Sequence, residues 1–196
     1  MSDLYYDDAT HRYYAGDNEW PSVTGIIKHA GHLSHLRASK RALAKGTSVH
    51  DWTVLIDQGD LDDPTGGVDL ASVPEWVRGE VKAYMDWRQW ARPVWHLVEE
   101  ARWHERWRFA GRPDRVGKFR GLPGEEGVME IKTGSESRWH GLQTAGYQLL
   151  TGAGGRYVLY LQKNGRYAFR QHSDPGDYVT FRRDLLSAWE DQSWAQ

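Results

Sequence analysis

The chain has 196 residues, with Lys+Arg 25 against Asp+Glu 27, a formal net charge of −2 and no cysteine. That length predicts one domain. Without thiols, disulfides, thiolate zinc sites, iron–sulfur clusters and a cysteine nucleophile are all excluded. Any metal must therefore be held by Asp, Glu, His or backbone oxygen, and the near-neutral charge gives no global basic signature of nucleic-acid binding.

The opening stretch MSDLYYDDATHRYY lacks the basic start and apolar run of a signal peptide, and no later run approaches the ~20 apolar residues of a membrane helix, so a cytoplasmic protein with no membrane partner is expected. Residues 4–20 alternate aromatic and polar positions around Gly16-Asp17, which predicts a short hairpin. Pro21-Ser22 then opens a helix with Ser22 as its N-cap. Residues 33–58 read as helix, broken or bent near Gly46, and 59–71 as a loop rich in Gly, Asp and Pro. Ser72 is the expected cap of a helix with Pro74 in its first turn, carried by Trp76, Val77, Val81, Tyr84, Met85 and Trp87 and ended by Arg92-Pro93.

The period then changes. Strands are predicted over 94–103 and 107–117, followed by a loop from Gly121 to Gly127 and a short strand over 128–132. A helix follows over 139–151. Two strands, 156–163 and 167–171, flank the turn pair Asn164-Gly165, and a last amphipathic helix covers 177–191. Gly152-Ala153-Gly154-Gly155 precedes a strand rather than a helix and reads as a plain turn. The order predicts an α/β or α+β fold with a mixed central β-sheet flanked by helices. It divides into a hairpin and helical lobe at 1–92, a sheet core at 93–172 and a C-terminal helix at 173–196, all within a single domain spanning 1–196.

Charge is unevenly placed. Arg102, Arg106, Arg108, Arg112, Arg115, Lys118 and Arg120 form a basic block, whereas Asp51, Asp57, Asp60, Asp62, Asp63 and Asp69 form an acidic one. Within the basic block sits Arg112-Pro113-Asp114, and further on Glu130-Ile131-Lys132. In a strand Glu130 and Lys132 share one face while Ile131 points to the other. A loop around 118–127 can bring Asp114 beside Glu130. Two adjacent carboxylates repel unless a cation joins them, which suits a divalent metal. Oxygen ligands favour Mg²⁺ or Mn²⁺, ions that polarise a phosphoryl oxygen and lower the pKa of bound water. A neighbouring lysine can orient that water or stabilise developing charge.

These residues resemble the PD-(D/E)xK nucleases. Further matches resemble the RecB-like, lambda-type exonuclease branch, phage-type members included, and the mitochondrial genome maintenance exonuclease. They are Phe109-Ala110-Gly111-Arg112-Pro113-Asp114, Gln143-Thr144-Ala145-Gly146-Tyr147, Lys45-Gly46-Thr47-Ser48-Val49-His50 and the opening Trp20-Pro21-Ser22-Val23-Thr24-Gly25-Ile26-Ile27. The resemblance covers roughly residues 20–160 and implies a restriction-endonuclease-like core. It implies Asp114, Glu130 and Lys132 as catalytic residues, and His50, Asp114, Glu130, the Ile131 carbonyl and Glu99 around one or two Mg²⁺ or Mn²⁺ ions, with Glu100 an alternative to Glu99. Gln143 and Tyr147, at i and i+4, share a helix face that can point at the site. With Arg112, Arg138 and Trp139 they are candidate substrate contacts, and Trp103 is a second candidate for stacking a base. Some relatives carry a four-cysteine iron–sulfur cluster, which this chain cannot form.

The implied activity is phosphodiester hydrolysis in DNA, single-stranded or at duplex ends, more in keeping with an exonuclease than with site-specific cutting. The setting would be phage or bacterial DNA recombination, repair or processing, with recombination or replication proteins as possible partners. A structure-specific or nicking endonuclease of the same fold and a catalytically inactive DNA-binding module are the alternatives. His29, His32 and His35 at spacing three form a weaker second metal candidate, because Gly31 interrupts the helix that would align them.

Overall fold

The computed structural model describes residues 4–34, 39–59, 62–120 and 126–191. The aromatic–polar alternation at the start builds three strands rather than one hairpin. β1 (Leu4–Asp7), β2 (Arg12–Ala15) and β3 (Asn18–Trp20) pair antiparallel in that order. Helix α1 (Val23–His29) opens as expected, with Ser22 Oγ accepting the Gly25 N–H at 2.9 Å.

Helix α2 (Lys40–Gln58) is capped by Ser39, whose side chain accepts from the Ala42 N–H. It begins later than the sequence suggests, since Leu33 and Ser34 belong to the turn after α1, and His35 lies outside the described residues. Gly46 does not break it. The helix runs on because Val49 and Ile56 anchor one face in the core, which outweighs glycine's intrinsic cost of about 1 kcal/mol. Ser72 is not the next cap either. Asp69 caps a single 3₁₀ turn, Leu70–Ser72, and α3 (Glu75–Ala91) starts behind Pro74 with no side-chain cap. Arg92, in the left-handed region at φ 46°, ends α3.

The two long strands expected in the middle are each divided. They become β4 (Val94–Val98) and β5 (Arg102–His104), then β6 (Phe109–Gly111) and β7 (Arg115–Lys118). Glu99 at φ 51° turns the chain between the first two. Pro113, which has no N–H for a ladder, separates the second two. β5 and β6 form a small antiparallel sheet of their own. The rest follows the sequence closely: β8 (Gly127–Lys132), α4 (Trp139–Thr151), β9 (Gly155–Leu161), β10 (Tyr167–Gln171) and α5 (Pro175–Asp191). Residues 121–125 of the expected loop lie outside the described residues.

The architecture is α+β, with a mixed five-stranded sheet in the order β10-β9-β8-β7-β4. Only β8 and β9 run parallel, and α4 is the crossover between them. Strand alternation divides the core in two. Met129, Ile131, Leu159 and Leu161 meet Val77, Val81, Tyr84 and Trp87 of α3 and Val49 and Ile56 of α2 on one face. Val116 and Val128 meet Ile26, Leu142, Phe181 and Leu185 of α1, α4 and α5 on the other. Trp87, fully buried, stacks on Tyr84 and Trp95.

Candidate metal centre

The site forms where four elements meet. The antiparallel pairing of β7 with β8 sets Arg115 opposite Met129, which places the preceding Asp114 beside Glu130. The two residues are laced together. The Asp114 N–H donates to Glu130 Oε1 at 3.2 Å, and the Ile131 N–H donates to Asp114 Oδ2 at 2.6 Å. Lys132 Nζ donates to Glu130 Oε2 at 2.7 Å, on the strand face that alternation predicts. Glu130 and Lys132 lie on β8 and Asp114 directly precedes β7, so the register of the two strands sets their spacing.

His50 reaches this cluster from α2. Its Nδ1 lies 2.9 Å from Glu99 Oε1 and 3.6 Å from Asp114 Oδ1, while its Nε2 lies 3.2 Å from the Ile131 carbonyl oxygen. A carboxylate and a carbonyl only accept, so these contacts favour the imidazolium, and a His50 ring nitrogen would ligate a metal only on giving up its proton. Burial opposes that charge, but Asp114 and Glu99 outweigh it and hold the imidazole pKa up at about 9. Burial, reinforced by the Asp114 carboxylate, pushes Glu130 up to about 7.

Glu99 takes its position through backbone strain. At φ 51° a non-glycine residue sits in a sparsely populated region, and its N–H donates to the Asp114 carbonyl at 3.0 Å. That turn aims Glu99 at His50, whereas Glu100 is exposed and pairs with Arg102 at 2.9 Å. One ligand atom each from His50, Glu99 and Asp114 lies within 4.8 Å of the others. This donor set of imidazole nitrogen and carboxylate oxygen fits a divalent cation of the Mg²⁺ or Mn²⁺ kind. The like-charge pressure on Glu130 fits the same group, because a cation relieves it. A cleft of about 720 Å³ opens at His50, Glu99 and Arg112, with Leu43, Gly46, Val54 and Leu55 of α2 along one wall.

The other sequence candidates fall into distinct places. Gln143 and Tyr147 are buried on α4, toward the sheet face that carries Glu130 and Lys132. Gln143 Oε1 has no hydrogen-bond partner among the described residues. Tyr147 packs over Gly111, where an added Cβ would come within 2.7 Å of its ring. Trp139 lies beneath Lys132, with the ammonium 5.6 Å from the ring centre, and Arg138 is exposed just ahead of α4. Trp103 packs edge-on to Tyr13.

Arg112 is already engaged, by Asp8 at 3.1 Å, by Glu99 at 3.4 Å and by the Tyr6 ring. The basic block is therefore not a row of free cations, since Arg102 and Arg112 are paired and Arg115 is fully buried. His29 and His32 turn to α5, where they meet Asp191 at 3.2 Å and Asp184 at 2.8 Å, and His35, the third of that candidate group, lies outside the described residues.

Sequence reasoning overlooked a buried layer under the site. Asp57, Thr53, Tyr84, Arg88 and Arg115 meet there. The available signal was the spacing of His50, Thr53 and Asp57, which lie on one face of α2.

No protein-family model matches the chain, and no curated protein sequence is similar to it. Among solved structures it is similar to that of SSO0001, with a TM-score of 0.39 and 16% identity, over 87% of this chain and 85% of that one. It is also similar to LHK-Exo in complex with dAMP, with a TM-score of 0.45 and 13% identity, over 88% of this chain and 89% of that one.

Proposed function

We propose that this chain is a Mg²⁺- or Mn²⁺-dependent deoxyribonuclease, an exonuclease in phage or bacterial DNA recombination, repair or processing. The observation that carries the reading is the convergence of His50, Glu99 and Asp114 at a cleft, with Glu130 and Lys132 hydrogen-bonded alongside. Asp114, Glu130, His50, Glu99 and the Ile131 carbonyl are the groups that would hold the metal. When bound, such an ion polarises a phosphoryl oxygen and lowers the pKa of coordinated water.

The chain's own residues supply the rest. Lys132, kept charged by Glu130 and Asp114 against the effect of burial, stands beside the carboxylates. There it can orient a nucleophilic water or stabilise charge on the phosphoryl group. Gln143 Oε1 is available to accept a hydrogen bond from a ligand or from an ordered water. Trp139 and the exposed Arg138 stand on the Lys132 side, where a base and a phosphate would pass.

End-labelled single- and double-stranded DNA, incubated with Mg²⁺, Mn²⁺ or EDTA, tests the reading. Cleavage should require the metal, and Glu130→Gln and Lys132→Ala should each lower it at least about 100-fold, in line with the loss of one electrostatic or acid–base group. Undiminished cleavage by both variants would overturn the site. Circular single-stranded DNA separates the modes: an exonuclease leaves it intact, and a nicking or structure-specific endonuclease does not.

A further inference from the structure

Beneath the three converging side chains lies a buried ionic layer that packing alone does not require. Arg115 is fully buried and carries three hydrogen bonds. Its Nε donates to Asp57 Oδ2 at 2.5 Å, its Nη2 to Thr53 Oγ1 at 3.1 Å and its Nη1 to the Asp114 carbonyl at 2.7 Å. Asp57 is also bonded by the Tyr84 hydroxyl at 2.5 Å and flanked by Arg88 at 3.2 Å, and Arg88 donates onward to the Asp63 carbonyl. A buried ion pair of this kind adds little stability over an apolar core of the same volume.

The contacts of Arg115 lead to each of the three candidate ligands. It bonds the backbone carbonyl of Asp114 and lies 3.6 Å from Glu99 Oε1. It reaches His50 through Thr53, whose hydroxyl accepts from Arg115 and donates to the His50 carbonyl at 2.9 Å, one turn earlier on α2. Asp57 fixes the guanidinium from the next turn of the same helix. The planar fork thus bridges α2 and β7, the two elements whose separation sets the distance from His50 to Asp114.

We infer that Arg115 is a positioning residue, oriented by Asp57 and Thr53, which holds His50, Glu99 and Asp114 at metal-binding separation. The inference rests on the metal-dependent reading above. It predicts that metal affinity depends on the shape of the Arg115 side chain as well as on its charge.

The probe is Mn²⁺ alone, with binding to the intact chain measured by titration calorimetry and by electron paramagnetic resonance, and folding followed by circular dichroism. Arg115→Lys keeps the charge and loses the fork. It should weaken Mn²⁺ binding by about tenfold or more, the range typical when a group behind a metal ligand is removed. Thr53→Val deletes only the hydroxyl relay to His50 and should weaken binding by about threefold or more on the same grounds. Arg88→Lys alters the ion pair at the other Asp57 oxygen, Oδ1, whereas Arg115 bonds Oδ2, and should lower Tm while leaving Mn²⁺ affinity at the wild-type value.

Wild-type affinity in folded Arg115→Lys would overturn the inference. Should Arg115→Lys fail to fold, Thr53→Val decides: weakened binding supports it and unchanged binding overturns it. A loss in Arg88→Lys equal to that in Thr53→Val would reduce the layer to general support and also overturn it. If the wild-type chain binds no Mn²⁺, the metal reading itself falls, and this inference with it.

Discussion

His140 is held neutral by its neighbours. Its Nδ1 accepts the Ser137 N–H at 3.2 Å and lies 2.8 Å from the Tyr160 hydroxyl, so the ring hydrogen belongs on Nε2. Burial, with the Lys132 and His172 charges behind it, pushes the imidazole down to about 3. A histidine whose folded-state pKa is lowered stabilises the fold above its unfolded value near 6.5. That contribution is lost progressively as pH falls from there toward 3. Chemical denaturation at stepped pH below 6.5 should show stability falling faster than in His140→Asn, which keeps an acceptor near Nδ1. The excess slope should approach, at most, about 1.4 kcal/mol per pH unit, the value for one proton. Equal slopes would remove His140 from the acid response. At the same scale, the sequence left Glu99 and Glu100 open as the upstream acid. Neighbouring residues in an irregular turn point wherever the local φ sends them, and the φ of 51° at Glu99 was not legible in the sequence.

At the scale of the element, α2 carries most of what was misread. Its apolar positions announced a helix, yet Gly46 suggested a bend. The continuous helix shows tertiary anchoring overriding local propensity. An added Cβ at Gly46 meets nothing within 4 Å. Gly46→Ala should therefore raise stability by about 0.5–1 kcal/mol in urea denaturation, because alanine loses less backbone entropy in a helix. A loss would mean that the position is strained in a way its open surroundings do not suggest. The same helix hides its polar inner face. In the sequence Asp57 belongs to the acidic block and Thr53 carries no signal of its own. Their partner Arg115 stands 58 residues from Asp57 in the chain, and local periodicity carries no information about it. By contrast β8, α4 and the β9–β10 hairpin were legible nearly to the residue. Each is fixed by short-range signals: an apolar strand run, a helical stripe and an Asn-Gly turn with Gly165 at φ 79°.

For the whole molecule, the two cores are opposite faces of one sheet. β8 feeds both, with Met129 and Ile131 on one side and Val128 on the other. Neither layer can open without exposing the same strands. The chain should accordingly unfold in one cooperative transition, with tryptophan fluorescence and far-ultraviolet circular dichroism giving coincident midpoints. Separated midpoints would divide the N-terminal helical lobe from the sheet core. Among the described residues no helix is long and apolar enough to cross a membrane. The near-neutral net charge also takes on structure at this scale. Asp57, Arg88 and Arg115 are buried together as one negative and two positive charges, so the formal count of −2 does not describe the surface alone.

By itself the sequence determined the periodic elements, the Ser22 cap, the absence of thiolate chemistry and the shared strand face of Glu130 and Lys132. All of these follow from interactions within a few residues. The tertiary structure decided the rest. The β7–β8 register brings Asp114 to Glu130, α2 delivers His50 to the Ile131 carbonyl across 81 residues, and the left-handed turn at Glu99 adds the third converging group. Those distances depend on how sheet and helices pack, and packing is set by contacts far apart in the chain, which spacing along the sequence does not encode.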